Sequence, residues 1–198
     1  MSRERGRDDT RSAIAVQAAR LMAQDGIEDY GLAKRKAARQ LGIPDTRKLP
    51  TNAEIDTALQ EYQGIYLGNG HPQRVNALRA QAVRVMHELE AFAPHLTGSV
   101  LSGVAGPYAR IRLHLFADNA KVVELFLLDR GIDYRVSQVR LIAGNEARMF
   151  PVFTFDHEGV EVQLTVLDAR DLRTSIRATP EGRVIERARI AAVENLLT

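Results

Sequence analysis

The chain has 198 residues, 45% of them apolar and 26% charged, and 27 Lys and Arg stand against 25 Asp and Glu for a formal net charge of +2. That composition fits a soluble globular protein with enough chain to bury a sizeable core, and the near balance of charge excludes a uniformly basic nucleic-acid binder. The absence of cysteine excludes disulfides, thiolate metal sites and cysteine nucleophiles.

Met1 to Thr10 holds no apolar run, which argues against a signal or transit peptide. No stretch approaches the ~18 uninterrupted apolar residues of a membrane span, so a cytoplasmic protein with no membrane partner is expected. Charge is not evenly spread: residues 1–50 hold 11 Lys and Arg against 7 Asp and Glu. That bias points to an anionic partner for the N-terminal half.

Residues 1–9 read as a flexible, solvated tail. Thr10 or Ser12 is a suitable cap for a first helix, with Ile14, Ala18, Leu21 and Met22 at helical spacing and Gly26 as its stop. A second helix is expected from about Asp29 to Leu41, with Tyr30, Ala33, Ala37 and Leu41 inward and Gly42 and Pro44 ending it. Lys34, Arg35, Lys36 and Arg39 crowd its outer side, and Arg47 and Lys48 follow. This run can contact RNA or DNA phosphates, or it is simply the wet face of an amphipathic helix. It lacks the interleaved aromatics of a single-strand platform.

Pro50-Thr51-Asn52 reads as a turn and cap for a third helix, to about Leu67, with Ile55, Leu59, Tyr62 and Tyr66 inward. Gly68-Asn69-Gly70 breaks the chain. A fourth helix, about Pro72 to Phe92, carries Val75, Leu78, Ala82, Val85, Met86 and Leu89 on one stripe. Residues 10–92 therefore form a helical segment.

From Pro94 the period changes. His95-Leu96-Thr97 reads as a short strand, residues 98–106 as a turn and helical segment, and Arg110 to Phe116 as an alternating strand. On that strand Arg110, Arg112 and His114 share one face, and Ile111, Leu113 and Leu115 the other. Asp118 or Asn119 caps a helix over Ala120 to Asp129, stopped by Gly131, whose Val122–Leu128 segment reads as core. Three strands follow at about Ile132–Ile142, Arg148–Phe155 and Val160–Leu167, the last two joined as a hairpin through Asp156-His157-Glu158-Gly159. Residues 170–182 look irregular, and a final helix is expected after Gly182. The plan is α+β: N-terminal helices, then a mixed sheet flanked by helices over residues 93–198.

The stretch Gly98-Ser99-Val100-Leu101-Ser102-Gly103 through Arg110-Ile111-Arg112 resembles the signature of the polymerase β-like nucleotidyltransferase superfamily: a Gly-Ser turn, a second glycine turn, then two carboxylates two apart on a strand. The resemblance covers roughly residues 94–168 and is specific over 98–113. It implies that Gly98, Ser99 and Gly103 form a phosphate-binding turn and that Glu161 is the third carboxylate. Arg110 and Arg112 stand where the family keeps its magnesium-binding acids. Guanidinium groups neither ligate magnesium nor lose their proton.

Two readings of the arginines follow. In one, Arg110, Arg112 and His114 hold a nucleotide or other phosphate-bearing ligand directly, with no metal or other cofactor and with two-metal catalysis lost. In the other, they are solvated or paired with Glu161. An active nucleotidyltransferase with an atypical site, which would need magnesium, and an RNA- or protein-binding module built on the basic helices are the competing functions. No G-x-x-x-x-G-K-[ST] motif is present, and the five histidines lack zinc-site spacing.

Overall fold

The computed structural model describes residues 2–25, 27, 30–43, 49–66, 71–106, 109–180 and 182–197. The expected stops at Gly26, Pro44 and Gly68-Asn69-Gly70, the expected start at Asp29, and the basic Arg47 and Lys48 lie outside the described residues. The chain divides into two compact units, Met1–Pro72 with Val104–Tyr108, and Gln73–Gly103 with Ala109–Thr198. The division falls near Pro72 instead of at residue 92, so nearly all of the fourth helix belongs to the sheet unit.

In the first unit, α2 (Tyr30–Gln40) and α3 (Asn52–Tyr66) both pack on α1 (Ser2–Asp25). The helix α1 begins at Ser2, well before Thr10, and takes in the stretch read as a tail; Arg and Glu are good helix formers and need no apolar face to continue a helix. Its core is built on Ile14, Ala18, Ala19, Ala33, Ala37 and Ile55, all fully buried. Alanine at these contacts brings helix axes close. Leu41, expected inward, is 41% exposed because it lies past the end of α2.

The entry to α3 is a reciprocal capping box. The Glu54 amide donates to Thr51 Oγ1 at 3.2 Å, and the Thr51 amide donates to Glu54 Oε2 at 2.6 Å. Arg11 of α1 reaches the same carboxylate at 2.9 Å. The Thr51 hydrogen bonds, aided by Arg11, hold the Glu54 pKa below the ordinary glutamate value.

The second unit opens with α4 (His71–Glu88) and a 3-10 turn at Glu90–Phe92. The expected stripe of Val75, Leu78, Ala82, Val85, Met86 and Leu89 is buried. Then follow β1 (His95–Thr97), α5 (Gly98–Ser102), β2 (Ile111–Ala117), α6 (Ala120–Asp129), β3 (Arg135–Ala143), β4 (Glu146–His157), β5 (Val160–Asp168), β6 (Ile176–Arg177) and α7 (Ile190–Glu194). The six strands form one mixed sheet in the order β1-β2-β5-β4-β3-β6. Only β2 and β5 are parallel; the other neighbours run antiparallel.

Asn119 caps α6 by accepting from the Lys121 amide at 2.9 Å. Half of the segment expected as core faces outward: Val123 and Leu127 are buried, but Val122, Leu125 and Leu128 are 47%, 47% and 54% exposed. The β4–β5 hairpin turns at Glu158 and Gly159, both with positive φ (53° and 81°), the backbone hand that suits a two-residue hairpin.

The expected final helix is the largest departure. Only Ile190–Glu194 is helical, and residues 183–189 instead carry isolated bridges at Val184 and Ala188. Tertiary pairing overrides helix propensity there: Leu96 and Ala188 exchange two backbone hydrogen bonds at 2.8 and 2.9 Å, and the Ile185 amide donates to Ile176 O at 2.7 Å.

Thr51→Ala removes one half of the capping box and should lower stability by about 1 kcal/mol in urea unfolding followed by circular dichroism. Because the folded pKa of Glu54 is depressed, its stabilisation is present above the ordinary carboxylate range and is lost as pH falls through the folded value. Glu54→Gln should flatten that part of the acid limb.

Candidate functional site

The strand–turn–helix–turn–strand unit places the residues singled out by the sequence. At its start the chain leaves β1 through Gly98 (φ +74°) and closes α5 through Gly103 (φ +83°), two left-handed positions that side-chain-bearing residues adopt at a cost. Thr97 Oγ1 donates to Arg112 O at 3.2 Å and ties the turn to β2. Arg79 of α4 holds the other end. Its Nε and Nη2 donate to Val100 O and Leu101 O at 3.1 and 2.9 Å, taking up carbonyls that a single-turn helix leaves without partners. A Cβ at residue 103 would lie 3.3 Å from Arg79 Nη2.

Residues directly opposite on neighbouring strands share a sheet face, so the registers define two rows on one side. The first runs Thr97, Arg112, Gln163, Thr154, Arg135; the second runs His95, His114, Thr165, Val152, Ser137. Arg110 lies two residues before Arg112 in sequence, at the leading end of β2. Its Nε is 3.1 Å from Glu161 Oε1, while Arg135 Nη2 donates to Glu161 Oε2 at 3.0 Å. Arg110 and Glu161 are thus in contact, the pairing that the second reading of the arginines expected, and Glu161 is held by two guanidinium groups; Arg112 lies in the adjoining row, opposite Gln163.

Nothing in the sequence marked Arg135. It is paired only because β3 joins the sheet beyond β4, two strands from Glu161.

The third expected member of the basic row is differently placed. His114 is 5% exposed, and its Nδ1 is buried without a hydrogen-bond partner. The alternation of β2 holds, but both of its faces are covered around this point, so being on the polar face does not make His114 accessible. Burial drives its pKa down to about 3, with repulsion from Arg187 and His95 adding to the effect. The ring is therefore neutral at ordinary pH and is part of the interior, not of the open site.

Beside it, His95 packs edge-on against Phe116 at 5.2 Å, and Arg187 lies over the same ring at 5.2 Å. The Arg187 Nη2 donates to Leu172 O and Thr174 O at 3.3 and 3.0 Å.

An open cavity of about 330 Å³ adjoins Glu161, lined by Asp133, Tyr134, Arg135, Thr154, Phe155, Asp156 and Glu161. Three carboxylates against one guanidinium make its walls acidic. The donors do not suit a pair of magnesium ions: Arg110, Arg112 and Glu161 supply one carboxylate, already engaged twice. Among the described residues no group of three or more His, Cys, Asp or Glu side chains is placed to hold a metal.

In the first unit, the basic stripe of α2 is narrower than the sequence implied. Lys34 Nζ donates to Asn52 Oδ1 at 2.7 Å, and its partial burial lowers its pKa. Arg35, Lys36 and Arg39 remain exposed. No helix among the described residues is long and apolar enough to cross a membrane.

Two outcomes check this geometry. Gly103→Ala should cost about 1–2 kcal/mol in thermal unfolding, since it forces a Cβ into left-handed backbone against Arg79. The His114 ring, followed by NMR, should show no titration between about pH 8 and pH 4. Its folded pKa is below the ordinary histidine value of 6.5, so the unfolded chain binds a proton that the folded chain does not. Stability is then full above that value and declines as pH falls below it; His114→Leu should remove this slope.

No protein-family model matches the chain, and a search of curated proteins gave no match to its sequence.

Proposed function

We propose that this protein binds a nucleotide or another phosphate-bearing ligand on a nucleotidyltransferase-like sheet unit, through arginines in place of metal-binding carboxylates, and that two-metal catalysis has been lost. The observation that supports this reading is that Arg110 and Arg112 stand two residues apart at the start of β2, in the segment that follows the left-handed Gly98 and Gly103, and that the Arg110 side chain stays 39% exposed although it is paired with Glu161. A guanidinium fork matches phosphate oxygens with two parallel donors and carries its charge at every working pH. Gly98, Ser99 and Gly103 supply a turn whose backbone a ligand can approach closely.

On this reading the phosphates lie on the Arg110–Arg112 side of Glu161, away from the acidic walls of the neighbouring cavity, and the cavity takes an uncharged or amine-bearing part of the ligand. His114 supports the strand from within and does not touch the ligand.

Isothermal calorimetry with ATP and GTP tests this. Binding in EDTA, weakened at least about tenfold (about 1.4 kcal/mol) by Arg110→Ala and Arg112→Ala, is the expected result. Absence of binding, or binding that requires magnesium, overturns it. Magnesium-dependent turnover of labelled triphosphates that disappears in Glu161→Gln would instead establish an active transferase.

The exposed Arg35, Lys36 and Arg39 of α2 support one second reading, an RNA- or protein-binding surface. Salt-dependent RNA binding that survives Arg110→Ala and fails in an Arg35/Lys36/Arg39 triple alanine variant, which leaves the Lys34–Asn52 hydrogen bond intact, would select it.

A further inference from the structure

The strand β3 borders β4 along its whole length, with nine pairs from Arg135↔Thr154 to Ala143↔Glu146. On its other side it meets β6 only at Ile142 and Ala143. The seven residues Arg135 to Leu141 therefore present an open row of backbone donors and acceptors, and no other strand among the described residues pairs with them. Arg135, Val136, Ser137, Gln138 and Arg140 are exposed. Edges of this length are normally blunted by proline, lysine, a bulge or a covering element. Here the unbroken register with β4 leaves no bulge, and the sequence Arg-Val-Ser-Gln-Val-Arg-Leu holds neither proline nor lysine; Arg135 and Arg140 are the only charges on it.

We propose that this edge is the contact for a second copy of the chain, pairing β3 with β3 antiparallel about a two-fold axis through Gln138. The open stretch is centred on that residue. Antiparallel pairing about it sets Arg135 opposite Leu141, Val136 opposite Arg140, Ser137 opposite Val139, and Gln138 opposite its own copy. No arginine faces an arginine, and Arg135 is paired with Glu161 at 3.0 Å. Val136, 58% exposed, comes to lie under the alkyl stem of Arg140 from the other copy.

That row continues into Met149, the partner of Arg140 on β4 and itself 55% exposed. The pairing stops where β6 begins, so it needs no rearrangement of the edge. An isologous contact of this kind closes on itself and does not propagate into fibres. The proposal is independent of the ligand reading, since its residues other than Arg135 lie away from Arg110 and Arg112 along the sheet.

The cysteine-free chain makes the register testable. In Gln138→Cys the two thiols face each other across the axis, at about 4.5–5.5 Å between Cα atoms, within disulfide range. In Arg140→Cys they lie four residues out of register, at about 13 Å. Mild oxidation should yield covalent dimers of the first variant and few of the second. Light scattering of the unmodified protein should show concentration-dependent dimerisation, weakened in Val136→Lys, which sets a lysine against Arg140 at an exposed position that folding does not need. A monomer at all concentrations, or equal cross-linking at positions 138 and 140, overturns the proposal. An edge that takes up a different extended chain gives that same pair of results.

Discussion

The parallel pairing of β2 with β5 is the constraint from which the candidate site follows. Parallel neighbours cannot be joined by a tight hairpin, so α6, β3 and β4 must all be laid down between them. The β4–β3 hairpin then extends the sheet outward from β5. The register of that pair, Ile111 beside Val162 and Arg112 beside Gln163, brings Arg110 level with Glu161 from some fifty residues away in sequence. A slip of one residue would turn every side chain of β2 to the other face and bury Arg112 between Leu96 and Leu164 of the neighbouring strands. The apolar side chains on the far face of the sheet therefore enforce the polar arrangement on the near one.

Guanidinium groups do a second kind of work in this unit, replacing regular hydrogen bonding where the chain lacks it. Arg79 takes the terminal carbonyls of α5, Arg187 takes Leu172 O and Thr174 O, and Arg177 takes Gly144 O at 2.7 Å. Arg148 pairs with Asp168 and the buried Asp171. Buried carbonyls need donors, and the irregular segment between β5 and α7 obtains them from long side chains. The same segment is anchored along β1 by Leu96 and Ala188. This explains how, beyond the 3-10 turn at Ala169–Arg173, residues 174–180 and 182–189 are held with no regular element longer than the two-residue β6.

What could be read in the sequence was whatever local periodicity controls. The bounds of α6, the short β1, the stripe of α4 and the alternation of β2 depend on residues within a few positions of one another. The α+β plan followed from their order. Features set by distant neighbours were not legible. The alternation of β2 put His114 beside Arg110 and Arg112, but beyond it that face turns into core, where Phe116, Phe150 and Leu167 gather under Leu172 and Ile185. Arg135 resembles any exposed strand residue until β3 is placed beyond β4. The helix expected after Gly182 was lost to a bridge with β1, which no pattern in residues 182–196 announces. Lys34 seemed one of four equivalent basic residues, and only the approach of α3 selects it for Asn52.

The balance between Glu161 and an incoming anion determines what the reversed charges can do on the proposed reading. Arg110 and Glu161 have side chains 39% and 33% exposed, and pairs this accessible are worth less than about 1 kcal/mol. Where Glu161 meets Arg110 through a single Nε–Oε1 contact, a phosphate group can offer two acceptors and more negative charge, and Arg112 stands on the same strand face to add a second cation. Displacing Glu161 from Arg110 therefore costs little, and Arg135 still holds the released carboxylate. A buried Glu161 would have sealed the site, and its absence would have left Arg110 and Arg135 to repel each other. An exposed carboxylate shared between two arginines keeps both oriented while remaining weak enough to yield, a property that neither the glycine turn nor the arginines possess alone.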